Sequence, residues 1–189
     1  MQHIIEYCKL IYPISKKFEE ALLESINIKI LQSGDFFLKP GMVANYACLV
    51  TTGFLRSYYL KDEEEITTKF LAPDAVVTSI YSFYTRQPTN EFITAITETE
   101  LECFHYNKLQ DLLNRFPEFN VIVRKITEQY LVFSEIEIFN LRKQSAEERY
   151  RFFLKHHSQI LQVAPLKYIA SYLSMNLETL SRVRSKVRQ

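Results

Sequence analysis

Apolar residues recur every three to four positions through the last third of the chain and every second position through much of the first half. The sharpest helical pattern lies at the C-terminus, Ala164 to Gln189, where Leu166, Ile169, Ala170 and Leu173 make a narrow apolar face one helix long. Ser174-Met175-Asn176 breaks the period, and a second helix is expected from about Leu177, with Leu180 and Val183 on its buried side. Two short amphipathic helices joined by so brief a turn are a helix-turn-helix arrangement. Ala170 is small where the helices should cross. The outward face of the second helix carries Glu178, Thr179, Ser181, Arg182, Ser185 and Lys186. Arginine can bond guanine through two hydrogen bonds, glutamate can accept from cytosine, and hydroxyls suit bases or phosphates. A helical hairpin that only closes a core has the same spacing, so the charge pattern must discriminate.

Upstream, Pro117 sits in the first turn of a long expected helix with no Gly or Pro until well past Lys143. Phe119, Ile122, Ile126, Gln129, Phe133, Ile136 and Asn140 make one stripe. Val123, Tyr130, Leu131, Ile138, Phe139 and Leu141 run beside it. A helix with two apolar faces needs two partners: a β-domain on one side and, most simply, its own copy across a two-fold axis on the other. Ser145-Ala146-Glu147-Glu148 reads as a capping box that opens a further helix, Ala146 to His156. The expected units are 1–116, a dimerisation helix over 117–144, and a helix-turn-helix domain over 145–189.

At the N-terminus His3 to Cys8 and Lys16 to Ser25 have helical spacing, with Ser15 as N-cap. From Asn27 the period drops to two. Ile28 and Ile30, then Phe36 and Leu38, alternate about a Gly34-Asp35 turn, and Lys39-Pro40-Gly41 is a second turn. Tyr46 to Val50 and Phe54 to Tyr59 flank Gly53, Glu63-Glu64-Glu65 caps a hairpin, and Ile66 to Leu71 returns. Val76-Val77, Phe92 to Ala95 and Leu101 to Tyr106 follow, with Asn107 as N-cap of Lys108 to Asn114. Short strands at such regular intervals suggest a barrel or sandwich, which makes the fold class α+β. The only glycines, Gly34, Gly41 and Gly53, cluster here, where the backbone needs a positive φ or a close approach.

Charge then separates the ends. From Ala146 onward eight Lys/Arg stand against three acids, a balance of +5, whereas the whole chain carries +1. Residues 1–145 therefore sum to −4. An acidic body with a basic tail puts the polyanion-facing surface at one end. The 189 residues contain no long uncharged apolar run and no signal-peptide pattern at the start, which implies a cytoplasmic protein without membrane contact. Cys8, Cys48 and Cys103 are odd in number and far apart, which argues against a disulfide framework or a metal knot. The histidines, His3, His105, His156 and His157, do not converge at metal-ligand spacing, and no nucleophile–base pair or phosphate loop stands out, so no catalysis, metal or cofactor is expected.

The order of β-barrel, long helix and C-terminal helix-turn-helix resembles the Crp/Fnr family of bacterial transcription regulators. The run G-D-F-F-L-K-P-G, Gly34 to Gly41, followed by Gly53, is similar to the turn glycines of that family's β-roll. E-T-L-S-R, Glu178 to Arg182, is similar to the E-x-x-S-R recognition-helix motif of the Fnr branch. The resemblance implies a cyclic-nucleotide-binding-like roll and a homodimer on double-stranded DNA bearing an inverted repeat. RNA polymerase and an unidentified small-molecule effector are further partners that it admits. Glu178, Ser181 and Arg182 become the base readers; Thr179, Arg184, Lys186 and Arg188 become phosphate contacts. The match departs from the pattern at the phosphate-binding cassette. Val76 to Ile96 has no glycine, and Asn90-Glu91 stand about where the family's Arg-Ser would, a carboxylate of the wrong sign for a phosphate. No response to cyclic AMP is expected. Four cysteines would be needed for an iron–sulfur sensor, the usual wing after the recognition helix is missing, and Ser174 stands where a glycine is common. An aromatic or acidic small molecule between roll and long helix is expected near Tyr58, Arg86 and Tyr130. A roll that has lost its ligand, and a basic tail that docks an acidic protein instead of DNA, both stay open.

Overall fold

The computed structural model describes residues 3–187. Two helices come first, α1 (His3–Ile11) and α2 (Lys16–Ser25), and the Ser15 hydroxyl caps α2 by accepting from the Phe18 N–H. Eight strands follow: β1 (Asn27–Leu31), β2 (Phe36–Leu38), β3 (Tyr46–Thr52), β4 (Leu55–Lys61), β5 (Glu64–Leu71), β6 (Val76–Val77), β7 (Phe92–Ala95) and β8 (Thr99–His105). A short helix, α3 (Ile80–Thr85), lies between β6 and β7. The strands form two antiparallel four-stranded sheets, in the orders β1-β8-β3-β6 and β2-β7-β4-β5. Their inner faces enclose Val50, Leu55, Val77, Ile93 and Leu101. Alternation along each strand makes this possible, since every second side chain points to the same face.

Two turns explain the roll's local chemistry. Between β3 and β4, Gly53 has φ +85°, and a Cβ there would meet the Glu98 carbonyl oxygen at 2.2 Å, so only glycine fits. The β4–β5 hairpin turns on Asp62 and Glu63, both with positive φ, a backbone twist matched to the flanking strands. Glu64 and Glu65, expected in the turn, already belong to β5. A second correction concerns the next helix, α4 (Tyr106–Arg115): its N-cap is His105, whose Nδ1 accepts from the Asn107 N–H, and Asn107 lies inside the helix.

The third correction is covalent. Antiparallel pairing of β3 with β8 sets Cys48 opposite Cys103, and the two buried residues form a disulfide. Their 55-residue separation hid this neighbour relation from the sequence. Cys8 remains a free thiol in the core, pushed up to about 12 by burial.

The long helix, α5 (Pro117–Lys143), spans 27 residues, with Pro117 in its first turn. Its first two turns pack with Phe18, Leu22 and Leu112 through Phe119 and Ile122. Farther along the helix surfaces: Leu131 and Val132 are each 60% exposed and Phe139 is 51% exposed. The C-terminal helices follow: α6 (Ala146–His157), α7 (Ile160–Val163), α8 (Leu166–Tyr172) and α9 (Leu177–Val187). A complete capping box starts α6, with the Ser145 hydroxyl accepting from the Glu148 N–H and the Glu148 carboxylate accepting from the Ser145 N–H. The core of this unit gathers Tyr150, Phe153, Ile160, Ile169, Ala170, Leu173 and Leu180 around Phe70 of β5. The C-terminal helices thus share a core with the roll. Among the described residues, no helix is long and apolar enough to cross a membrane.

Candidate nucleic-acid interface and roll interior

Helix α8 ends at Tyr172 with Leu173 as its C-cap, and Ser174 takes the left-handed conformation, φ +51°, that turns the chain into α9. The Met175 N–H then bonds the Ala170 carbonyl, and the Asn176 Oδ1 caps α9 by accepting from the Thr179 N–H at 2.8 Å. Arg149 of α6 clamps the turn: its Nε donates to the Leu173 carbonyl at 2.9 Å and its Nη1 to the Gln144 carbonyl at 2.8 Å. One of the basic tail's cations is therefore structural.

The sheltered side of α9 buries Leu180, and Val183 packs against the same cluster. Glu178, Ser181, Arg182 and Lys186 are exposed, and Thr179 is half-buried. Arg182 Nη2 donates to the Thr179 hydroxyl at 3.2 Å, a contact within one helical turn that leaves most of the guanidinium's donors available. The expected phosphate contacts are less uniform. Lys186 is ion-paired to Glu147 of α6 at 2.6 Å, and Arg151 shares the same carboxylate at 2.9 Å. Two cations on one acid hold the Glu147 carboxyl below the usual range, the Lys186 bond contributing most. Arg184 is half-buried beside Leu166 and Leu180, and its Nε has no hydrogen-bond partner. Arg188 lies outside the described residues.

Inside the roll, the segment between β6 and β7 folds back over β4. The Glu91 carboxylate accepts from the Ser57 and Ser79 hydroxyls, each at 2.6 Å, and Ser79 also shares a hydrogen bond with Thr89. Ser57, Ser79 and Thr89 are buried. An acid here uses the hydroxyl donors that an incoming anion would need. The sequence flagged Glu91 by its sign, but not the two serines that hold it.

The residues expected around a roll ligand do not converge. Arg86, with φ +59° at the end of α3, donates to the Ala44 and Phe83 carbonyls and to the Asn45 side chain, and lies over the Tyr106 ring. Tyr58 stacks on Phe92 with ring centroids 4.8 Å apart. Tyr130 accepts from the Lys69 ammonium at 2.9 Å. A further residue, outside that expectation, is Arg56 of β4. It is buried, sandwiched between the Tyr58 ring at 4.0 Å and the Tyr168 ring of α8 at 3.4 Å, and paired with Glu65 at 2.6 Å. The histidines are dispersed: His3 bonds Asp74, His105 caps α4, and His156 and His157 lie in an aromatic cluster with Phe133 and Phe152.

Residues 28–116 match the family model described as "Cyclic nucleotide-binding domain". No curated protein matches the sequence. Among solved structures the chain is similar to FixK2 from Bradyrhizobium japonicum, with a TM-score of 0.72 and 23% identity over 86% of this chain and 84% of that one. A CooA double mutant from Carboxydothermus hydrogenoformans gives a TM-score of 0.68 and 19% identity, covering 95% and 82%. A protein from Eubacterium rectale assigned to the Crp/Fnr family of transcriptional regulators gives 0.72 and 17%, covering 95% and 88%. Residues 28–116 are therefore similar to the cyclic nucleotide-binding domain, in a chain that has the fold of the Crp/Fnr regulators.

Proposed function

We propose that the chain is a sequence-specific DNA-binding transcription regulator that acts as a homodimer and does not respond to cyclic AMP. The observation that carries this reading is the face of α9, where Glu178, Ser181 and Arg182 stand exposed over a buried Leu180. Glu178 and Arg182 would read bases, with Ser181 beside them; Thr179, Arg184, Lys186 and Arg188 would hold phosphates. Lys186 must release Glu147 to do so, an exchange of one surface ion pair for another that costs little. Pairing through the exposed half of α5 would set two α9 helices one DNA turn apart, so the operator is a short inverted repeat. Glu91, bonded to Ser57 and Ser79, supports silence toward cyclic AMP, because a half-buried carboxylate repels a phosphate.

Selection of bound duplexes from a random pool tests this, with Arg182→Ala in parallel. The parent should recover an inverted repeat, and the variant should bind it about 1–3 kcal/mol more weakly with base preference relaxed at one position. No enrichment, or binding with a shallow salt dependence, would favour a tail that docks an acidic protein. Tight calorimetric binding of cyclic AMP would overturn the second half of the reading.

A further inference from the structure

Between the second sheet, the C-terminal half of α5, α6 and the α8–α9 turn lies a cavity of about 290 Å³. Tyr59 and Ile66 of the roll, Ile138 and Leu141 of α5, Phe152 of α6 and Leu173 of the turn make its apolar wall. Two of its polar groups lie on one side of α5. Glu137 and Asn140 are three residues apart, so their side chains are neighbours on one helix face.

Asn140 is 6% exposed, and its Nδ2 has no hydrogen-bond partner. Buried amides without a partner are uncommon, and this one lines an empty space. Glu137 accepts from the Tyr172 hydroxyl through one oxygen, and a carboxylate has capacity for further donors. Arg149 lines the cavity too, but its guanidinium is engaged by the carbonyls of Leu173, Gln144 and Ser174. The lining thus carries one cationic and one acidic side chain. A guest with a net charge would upset that balance in a partly desolvated space, whereas a neutral one would not.

We propose that this cavity binds a small, neutral, largely apolar molecule carrying an N–H donor beside a C=O acceptor, a lactam in the simplest case. The N–H donates to the Glu137 carboxylate, and the C=O accepts from the Asn140 Nδ2. The remaining ring surface packs on Ile66, Leu141 and Phe152. Ser134, Glu137, Ile138 and Leu141 share one helical row of α5, whereas Val132, Ile136 and Phe139 share another, so pairing of α5 through the second row leaves the cavity accessible. The inference stands on this geometry alone and holds whether or not α9 reads DNA.

The test is a calorimetric titration of the full chain with 2-quinolone, which has the lactam edge on an apolar ring. N-methyl-2-quinolone, which lacks the donor, is the paired probe. One molecule of 2-quinolone should bind per chain, and the N-methyl compound should bind about tenfold more weakly, because Glu137 loses its new donor. Asn140→Leu should abolish binding by removing the acceptor's partner, and Ser134→Phe should abolish it by filling the space. Absence of saturable binding, equal binding of the two quinolones, or binding that survives Ser134→Phe with a cooperative melt would each overturn the proposal. If Asn140→Leu does not fold, the paired probes and the filling variant decide alone.

Discussion

The Ser171 hydroxyl meets β5 where another strand would. It accepts from the Thr67 N–H at 2.9 Å and donates to the Glu65 carbonyl at 3.0 Å. β5 is the edge of its sheet, and an edge strand presents unpaired backbone groups that must find partners. Here a side chain of α8, 104 residues away in sequence, supplies them. Together with Arg56 stacked on Tyr168 and Phe70 in the C-terminal core, it makes the roll and the helix-turn-helix one packed body.

Ser171→Ala should therefore destabilise by about 1–2 kcal/mol, the cost of leaving a partly buried N–H and carbonyl without that partner. Urea unfolding measures it as a lower midpoint with an unchanged slope. A variant indistinguishable from the parent would mean that water replaces the hydroxyl freely.

The turn glycines make an unequal pair. Gly34 has φ +90° but open space around its missing Cβ, whereas at Gly53 the Cβ would collide with the Glu98 carbonyl and Thr99. Gly34→Ala should cost about 1–2 kcal/mol of backbone strain. Gly53→Ala adds an overlap that backbone must move to relieve, and should cost at least about 2 kcal/mol more. Thermal melting of the two proteins checks the order; equal melting temperatures would contradict the close approach.

Much of this was legible because it is local. The Ser145–Glu148 capping box, Pro117 in the first turn of α5, and the α8–α9 interruption at Ser174 are each written within a few residues. What the sequence hid depends on strand neighbours and on which face a side chain takes. Cys48 and Cys103 meet because β3 and β8 are adjacent, and no period along the chain encodes that. Tyr58, Arg86 and Tyr130 looked like one aromatic, cationic box, but Arg86 closes α3 in a left-handed conformation and spends its guanidinium on carbonyls. The exposed polar face of α9 was legible from spacing, whereas the capture of Lys186 by Glu147 required the packing of α6 against α9.

Exposed apolar residues on the second half of α5 lead to the next expectation. Leu131, Val132 and Phe139 are half or more exposed, a pattern that a lone helix in water does not favour. If this face pairs with its copy, Phe139→Glu places a charge in the seam and should weaken self-association by about 100-fold. Sedimentation equilibrium would register the change as a shift from dimer to monomer at micromolar concentration. The same mass for parent and variant would remove α5 as the pairing element.

The last expectation concerns pH. His157 packs among Phe133, Phe153 and Tyr172, with His156 adjacent, and its Nε2 lies 3.2 Å from the Tyr172 hydroxyl, which in turn bonds Glu137. Burial, and secondarily the neighbouring imidazole, lowers its pKa from 6.5 to about 4. Between those values the unfolded chain binds more protons than the folded one, so His157 stabilises less as the pH falls from about 6.5 towards 4. Glu137 works in the opposite direction: burial raises its carboxyl above the ordinary 4.5, so the folded state holds that proton more readily and gains as the pH falls. The two contributions partly cancel in the parent and should separate in variants. His157→Gln removes the acid-labile term and should flatten or reverse the slope of stability against pH between 6.5 and 4.5. Glu137→Gln removes the opposing term and should steepen it, within the limit of about 1.4 kcal/mol per pH unit for a single proton. Urea midpoints at three pH values across this window, for parent and both variants, supply the measurement. Parallel slopes in all three proteins would mean that the Glu137–Tyr172–His157 chain does not titrate with folding.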